Sequence, residues 1–411
     1  MSAAAGFLSE KKVILASYTH LHNGLPTTIA GPGLALCNYL KSRAKKLVCV
    51  WQPMPLSDTL SVRAEVFNKQ QLVEVKILPV LDWPFGRGKA ISLIYLLLKI
   101  RDIFSVIYFA LLSRERFDIF VGVEALNASV GVFLAKIGLI DKVIYFNFDY
   151  GAQRFTNPLF NFIFHLLDKF AVCHSDYTWC LSQAIIDTRN KKGLPKKKIS
   201  SQSVVPVGVD FRSIKRLPLE EISKNTIVYL GHLAEHQGIN LIMEAMPDIL
   251  KAVPLVKLII IGSGPLEKKV KSWIAECRLE EHVEFKGLIS DKEVEGVLCK
   301  SALGLAPYMD DSSSNKRFTE PTKPKTYASC GLPIIITDVP PNAVQIQENG
   351  AGIVIGYNKN DLTAAVKSLL TNEQLYNEYR KNAIEFASRY DWNNIFDRAF
   401  VSLFSLDTGG G

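Results

Sequence analysis

Short apolar runs alternate with amphipathic segments along this chain, and the alternation begins twice. "KKVILAS", "LVCVW", "LVEVKILP", "FDIFVGV", "KVIYFNFD" and "YTWCLS" form one series; "TIVYLG", "VKLIIIGSG", "VEFKG", "ALGLAPY", "LPIIITD" and "AGIVIGY" form a second. Brief apolar runs rich in β-branched residues suit strands buried on both faces, and the amphipathic segments between them suit crossover helices. Each series therefore predicts a parallel sheet covered by helices. At 411 residues and 48% hydrophobic composition, the chain also exceeds what one core usually organises. After "VVPVGVD" the charged, proline-containing "FRSIKRLPLEEISKN" reads as an interdomain linker. The expectation is an α/β protein with two Rossmann-like domains facing a central cleft. Residues 1–210 form the first, 211–225 the linker and 226–388 the second. The segment "YDWNNIFDRAFVSLF" has no strand after it and is expected as a helix over 389–405 that packs back on the first domain.

Several function classes are excluded early. The seven cysteines, at 37, 49, 173, 180, 277, 299 and 330, show neither CxxC nor Cys/His spacing, so no structural metal and no disulfide framework is expected. The amino terminus lacks the three-part pattern of a signal peptide, which points to a cytoplasmic protein. A net charge of +8 asks for anionic company, yet basic motifs interleaved with aromatics are absent, so nucleic acid is not expected as a partner. Phosphorylated small molecules or an anionic membrane surface fit that charge better. The cluster "KKGLPKKK" at 191–198 reads first as a solvated loop and second as a membrane- or acceptor-facing one. The stretch "ISLIYLLLKIRDIFSVIYFALL", 91–112, is long enough to span a bilayer, but Lys99, Arg101 and Asp102 at its centre argue against spanning. Lys99, Asp102 and Ser105 recur at helical spacing and predict one polar strip on an otherwise buried helix. Peripheral contact with the inner membrane face, helped by Arg87, Lys89, Arg114 and Arg116, stays open beside that.

Ligands of such sheets bind beyond the carboxyl ends of the strands, where helix N-termini and glycine turns present backbone donors. Four turns stand out: "SYTHLHNGLPTT" with Gly24, "GHLAEHQG" at 231–238, "GSGP" with Gly262 and Gly264, and "EPTKPKTYASCGLPIIITDVP" at 320–340. None is a Walker loop or a dinucleotide fingerprint.

Taken in order, "YLGHLAEHQGINLIMEAM", "KLIIIGSGPLEKKV", "VEFKGLISDKEVEGVLCKSALGLAPY" and "PTKPKTYASCGLPIIITDV" resemble the carboxyl-terminal domain of group 1 glycosyltransferases, family 4, of GT-B fold, over about 225–390. "HNGLPTT" sits where that family has a glycine-rich loop. The resemblance implies a retaining glycosyltransferase that moves a sugar from a nucleotide diphosphate donor to an acceptor held by the first domain. It implies no divalent metal and no cofactor, and no Asp-x-Asp motif is present to hold a metal. The acceptor class stays open among glycan, lipid-linked and small-molecule candidates.

Five positions depart from the family pattern. An arginine is replaced by His232, a lysine by Gln237, the two glutamates of the E-x7-E motif by Phe318 and Thr326, and a first-domain histidine by Phe148. Two accounts follow. In one, neighbours take over: Lys316, Arg317, Lys323 and Lys325 supply positive charge, Glu320 supplies a carboxylate, and Asp149 or Asp310 faces the reacting carbon. In the other, the chain is a GT-B-shaped binding or partner subunit without donor chemistry, with an epimerase or a phosphorylase of the same fold as a remainder. On the first account Asp149 and Glu320 are catalytic. Gly24, Gly231, His232, Gln237, Gly262, Gly264, Pro321, Thr322, Lys323 and Thr326 line the donor. His20 and His22 lie on the acceptor side. Pro321 suits a first helical turn that leaves the N–H groups of Thr322 and Lys323 for a phosphate, and Lys323 there opposes the helix dipole unless an anion joins it. The bland alternatives are a solvated Lys323, plain strand-to-helix turns at Gly262 and Gly264, an exposed loop for His20 and His22, and a helix cap for Asp149.

Overall fold

In a computed structural model, the structure describes residues 3–19, 21–22, 25–26, 31–54, 57, 59–78, 91–148, 150–151, 154–155, 157–195, 198, 201–311, 315–317 and 320–408. The chain divides into two compact units, Met1–Pro206 with Trp392–Gly411, and Val207–Asp391.

The first unit runs α1 (Ala3–Leu8), β1 (Lys12–Thr19), the short hairpin β2 (Leu21–His22) and β3 (Leu25–Pro26), α2 (Pro32–Lys41), β4 (Lys46–Pro53), β5 (Val62–Asn68) and β6 (Gln71–Leu78). It continues with α3 (Ile91–Leu112), β7 (Phe117–Val123), α4 (Glu124–Lys136), β8 (Ile140–Asn147), α5 (Pro158–His174), β9 (Tyr177–Cys180), α6 (Gln183–Asn190) and β10 (Gln202–Val204). Its sheet has the order β10-β9-β8-β7-β1-β4-β5-β6. Strands β10 to β4 pair in parallel, and their connecting segments lie in helices because a parallel neighbour cannot be reached by a tight turn. The terminal helix Trp392–Thr408 belongs to this unit and packs on α1 and α2. Tyr39 Oη donates to Asp397 Oδ1 at 2.6 Å, and its ring stacks on Phe400.

One edge of this sheet differs from the sequence expectation. "LVEVKILP" is not a buried parallel strand; β5, which the alternation did not reveal, pairs antiparallel with both β4 and β6. The reversal occurs at Lys69 and Gln70, both at positive φ, which a two-residue hairpin turn requires to match strand twist.

The second unit runs β11 (Ser223–Leu230), α7 (Ile239–Ala252), β12 (Lys257–Ile261), α8 (Glu267–Glu276), β13 (Val283–Gly287), α9 (Asp291–Lys300), β14 (Ser301–Ala306), α10 (Lys323–Cys330), β15 (Ile334–Thr337), α11 (Asn342–Glu348), β16 (Gly352–Ile355), α12 (Lys359–Thr371) and α13 (Glu373–Ser388). Its strands form an all-parallel sheet in the order β13-β12-β11-β14-β15-β16. Alternate residues of one strand feed opposite cores. Ile227 and Tyr229 of β11 point into one, while Val228 enters the other with Tyr327 and Ile336. Burial on both faces is the reason these strands read as unbroken apolar runs.

The expected linker 211–225 is part of this unit. Phe211, Ile214 and Leu217 pack on its core, Arg216 Nε donates to Ser329 O at 2.6 Å, and Arg380 Nη2 donates to Leu217 O at 2.8 Å. Arg216 serves as a backbone tie, and the unit boundaries fall at 206/207 and 391/392 instead of at the linker.

A second difference concerns α3. The polar strip is inside: Asp102 is 1% exposed and Ser105 is buried, and Gln52 Nε2 donates to Asp102 O at 3.0 Å. Arg101 Nη1 donates to Leu60 O at 2.8 Å, and Lys99 pairs with Asp102 and lies 3.8 Å from the centre of the Tyr18 ring. The opposite stripe, Leu97, Ile100, Phe104, Tyr108 and Leu111, is exposed, with Phe104 at 65%. The helix is apolar outward and charged inward.

Candidate functional site

At the carboxyl end of the second sheet, two glycine turns and the start of α10 come together around Lys323. Gly231 follows β11 and donates its N–H to Ile261 O at 2.8 Å; Gly262 follows β12 and donates to Gly287 O at 2.8 Å. A β-carbon on Gly262, at φ +137°, would lie 1.9 Å from Gly231 O. One on Gly231, at φ +150°, would lie 1.9 Å from Lys323 Nζ, and one on Gly264 would lie 2.6 Å from Leu233 O. The missing side chains are thus what lets backbone and cation meet here.

Lys323 Nζ donates to Gln237 Oε1 at 2.8 Å and sits 5.4 Å from the Tyr229 ring centre and 5.6 Å from that of Tyr308. Gln237 is buried and held by its turn, because Gly238 (φ +83°) packs so tightly that a β-carbon there would lie 1.7 Å from Pro307 O. Tyr229 Oη donates to His232 O at 3.0 Å, fixing the same turn from beneath. Among the described residues no carboxylate pairs with Lys323. Burial of its ammonium, together with the nearby Lys316 cation, lowers its pKa from 10.5 to about 7. Burial also lowers the pKa of His236, with Lys316 the next cause. The cluster gathers cations beside two aromatic faces.

The remaining expected residues divide. His232 is exposed beside the Gly231 turn. Thr322 occupies the N-cap position of α10, and its carbonyl accepts from Thr326 N at 3.0 Å and from Thr326 Oγ1 at 3.2 Å, so Thr326 is turned toward its own helix. The proline in the first turn of α10 is Pro324, not Pro321; Pro321 precedes the cap and its carbonyl accepts from Asn342 Nδ2 at 3.5 Å.

Glu320 is corrected more strongly. Its Oε1 pairs with Lys325 Nζ at 2.6 Å, its Oε2 accepts from Val207 N at 3.0 Å, and Lys325 donates to Val207 O at 2.7 Å. Lys325 is fully buried, 3.6 Å from the Tyr390 ring centre. Both residues clamp the first segment of the unit, so Glu320 is a positioning residue and Lys325 contributes no charge to the Lys323 cluster. Asp310 pairs with Arg317 at the surface.

Asp149, His20 and Gly24 lie outside the described residues, as does the side chain of His22, whose backbone pairs with Leu25 in the β2–β3 hairpin. The cap of α5 is Asn157, whose side chain accepts from Leu159 N and Phe160 N.

Two residues near the corresponding edge of the first sheet had no site assignment from the sequence. Glu124 joins β7 to α4 at φ +67°, a conformation non-glycine residues seldom adopt, and its Oε1 accepts from Phe148 N at 3.1 Å. Lys99, next to Tyr18 at the end of β1, has its pKa lowered by burial against the opposing pull of Asp102. The signal for Glu124 was a carboxylate directly after an apolar strand; Lys99 was read only as one member of a polar strip on its helix.

Two units, one on a sheet that is parallel except at its β5–β6 edge and one on an all-parallel sheet, have the GT-B glycosyltransferase architecture. Thermosynechococcus elongatus sucrose-phosphate synthase superposes with a TM-score of 0.67 at 12% identity, over 98% of this chain and 100% of that one. Anabaena Alr3699/HepE in complex with UDP and glucose gives 0.64 at 15% identity, over 96% and 100%. Residues 211–386 match the model of the family described as glycosyl transferases group 1. That match covers less than half of the chain. The phosphatidyl-myo-inositol mannosyltransferase of Mycobacterium leprae is 24% identical over 187 residues, 45% of this chain and 48% of that protein. The chain spans about half the length of the mannosyltransferase relatives it matches.

Proposed function

We propose that the protein is a retaining glycosyltransferase that takes its sugar from a nucleotide diphosphate donor bound by the Val207–Asp391 unit. The carrying observation is Lys323: a cation with a depressed pKa, without a carboxylate partner among the described residues, set against two glycine turns at the ligand edge of the sheet. A diphosphate would replace the Gln237 amide oxygen as its acceptor, with a gain in strength because both partners are then charged. The Lys323 ammonium would stabilise the leaving diphosphate where the family uses an arginine and a lysine, so no divalent metal is required. A front-side retaining transfer needs no protein nucleophile, which accords with Glu320 being held in an ion pair. HepE binds UDP and glucose, which supports a nucleotide sugar as donor. The mannosyltransferase relative carries phosphatidyl-myo-inositol in its name, which favours a lipid-linked acceptor among the three classes left open.

One observation favours the second reading, a partner subunit without donor chemistry: Gln237 already satisfies Lys323. Calorimetric titration with UDP, GDP and ADP and their sugar conjugates, with and without metal, separates the two. Metal-independent binding of one nucleotide that weakens at least about tenfold in Lys323→Ala, the loss expected for one charge-assisted hydrogen bond, supports the transferase. No binding across the panel supports the partner subunit.

A further inference from the structure

The two sheets end on four edge strands, and three of them are short: β10 has three residues, β16 four and β13 five. The fourth, β6, has eight. A long bare edge presents unpaired N–H and C=O groups to any strand that can match it, and proteins usually shorten or cover such edges. Strand β6 pairs with β5 on one side, and among the described residues no strand pairs with its other side. Its apolar side chains are in solvent: Leu72 is 51% exposed, Val73 52%, Val75 39% and Ile77 60%.

Two charges in this strand select the partner. Glu74 and Lys76 are two residues apart and share one face, where Lys76 Nζ pairs with Glu74 Oε2 at 3.0 Å. An antiparallel second copy, related by a twofold axis normal to the sheet, keeps every side chain on its own face. A twofold at Glu74 or at Lys76 sets like charges directly opposite, which is destabilising. A twofold at Val75 instead sets Glu74 against the partner's Lys76 and Lys76 against the partner's Glu74, with the two copies of Val75 facing at the axis. Ile77 then meets the partner's Val73, the extra residue of β6 between the pairs Val66–Glu74 and Phe67–Leu72. The edge is self-complementary in charge and in apolar contact at this one register.

We propose that the protein forms a twofold dimer by antiparallel pairing of β6 with the β6 of a second copy, which joins the two first-unit sheets into one. This goes beyond the donor-site reading and does not depend on it, because Lys323 lies in the other unit. One strand pair is small beside the roughly 800 Å² per partner of a standard interface, so association is expected at micromolar concentration and above.

The test is sedimentation velocity of the full chain from about 1 to about 100 µM, the range in which so small an interface passes from monomer to dimer. A reversible dimer is expected. Glu74→Lys alone, or Lys76→Glu alone, sets like charges opposite on both sides of the axis and should weaken the dimer at least about tenfold. Glu74→Lys with Lys76→Glu exchanges the signs and should restore it. An equimolar mixture of the two single variants should form heterodimers where neither variant forms a dimer by itself. Melting temperature monitors the fold of each variant, and nucleotide titration reads the donor site separately. A chain that stays monomeric throughout the range overturns the proposal. Dimers that the single variants leave unchanged assign the association to another surface and overturn it too, as does a loss that neither the exchange nor the mixture rescues.

Discussion

The ammonium of Lys323 occupies the space a side chain on Gly231 would need: a β-carbon there would fall 1.9 Å from Nζ, while Gln237 Oε1 holds the same ammonium at 2.8 Å. Cation, turn and amide form one unit whose expected behaviour is testable at each member.

Gly231→Ala forces Lys323 out of its seat and strains a backbone at φ +150°. Gly262→Ala drives a methyl into Gly231 O. Each variant should lose nucleotide binding by more than Lys323→Ala does, and Gly262→Ala should also lower stability by roughly 1–3 kcal/mol through backbone strain. Titration calorimetry and urea unfolding read the two effects separately.

The depressed pKa of Lys323 predicts opposite pH trends for stability and for anion binding. Between about 7 and 10.5 the unfolded chain keeps a proton that the folded chain has released, so the lysine's contribution makes stability rise with pH across that window and leaves it flat below. Binding of a diphosphate requires the cation and should weaken above about pH 7. Lys323→Arg, which stays charged, should abolish that decline. His236, held below its ordinary 6.5, titrates under this window.

Breaking the Glu320–Lys325 pair by Glu320→Ala leaves a buried ammonium uncompensated and should destabilise the protein by about 3–5 kcal/mol. Replacing both, as Glu320→Gln with Lys325→Met, should cost clearly less. Nucleotide affinity per folded molecule should be unchanged in Glu320→Gln; a drop of tenfold or more would return Glu320 to the donor site. Unfolding curves and titrations on the same preparations decide it.

The buried guanidinium of Arg189, which donates to both oxygens of Asp168 at 2.8 Å, should behave alike in the first unit: Asp168→Ala is expected to cost about 3–5 kcal/mol. Binding of nucleotide by the second unit should survive, since Asp168 lies in the first. Calorimetric unfolding with and without nucleotide measures both.

Most strands were legible because burial on both faces forces continuous apolar runs, as in "KLIII" of β12 and "FDIFVGV" of β7. The edge was not: β6 is exposed along most of its length, and the β5–β6 reversal rests on two residues at positive φ that carry no glycine signal. The ordered turns around Gly231, Gly262 and Lys323 were readable because each requires a residue type at a fixed place. The partners of Glu320 and Lys325 were not. Two like-spaced charges one turn from Lys323 read as site residues, and only folding brings Val207 between them.

The sequence by itself therefore determined the two α/β series, the glycine turns and the cation at the start of α10, since local spacing and backbone permissiveness are properties of neighbouring residues. Which charges are free was decided by tertiary structure alone. Lys323 has no carboxylate partner among the described residues while Lys325 is locked, and α3 turns its charges inward and its rings outward, because pairing and burial depend on residues far away in the chain.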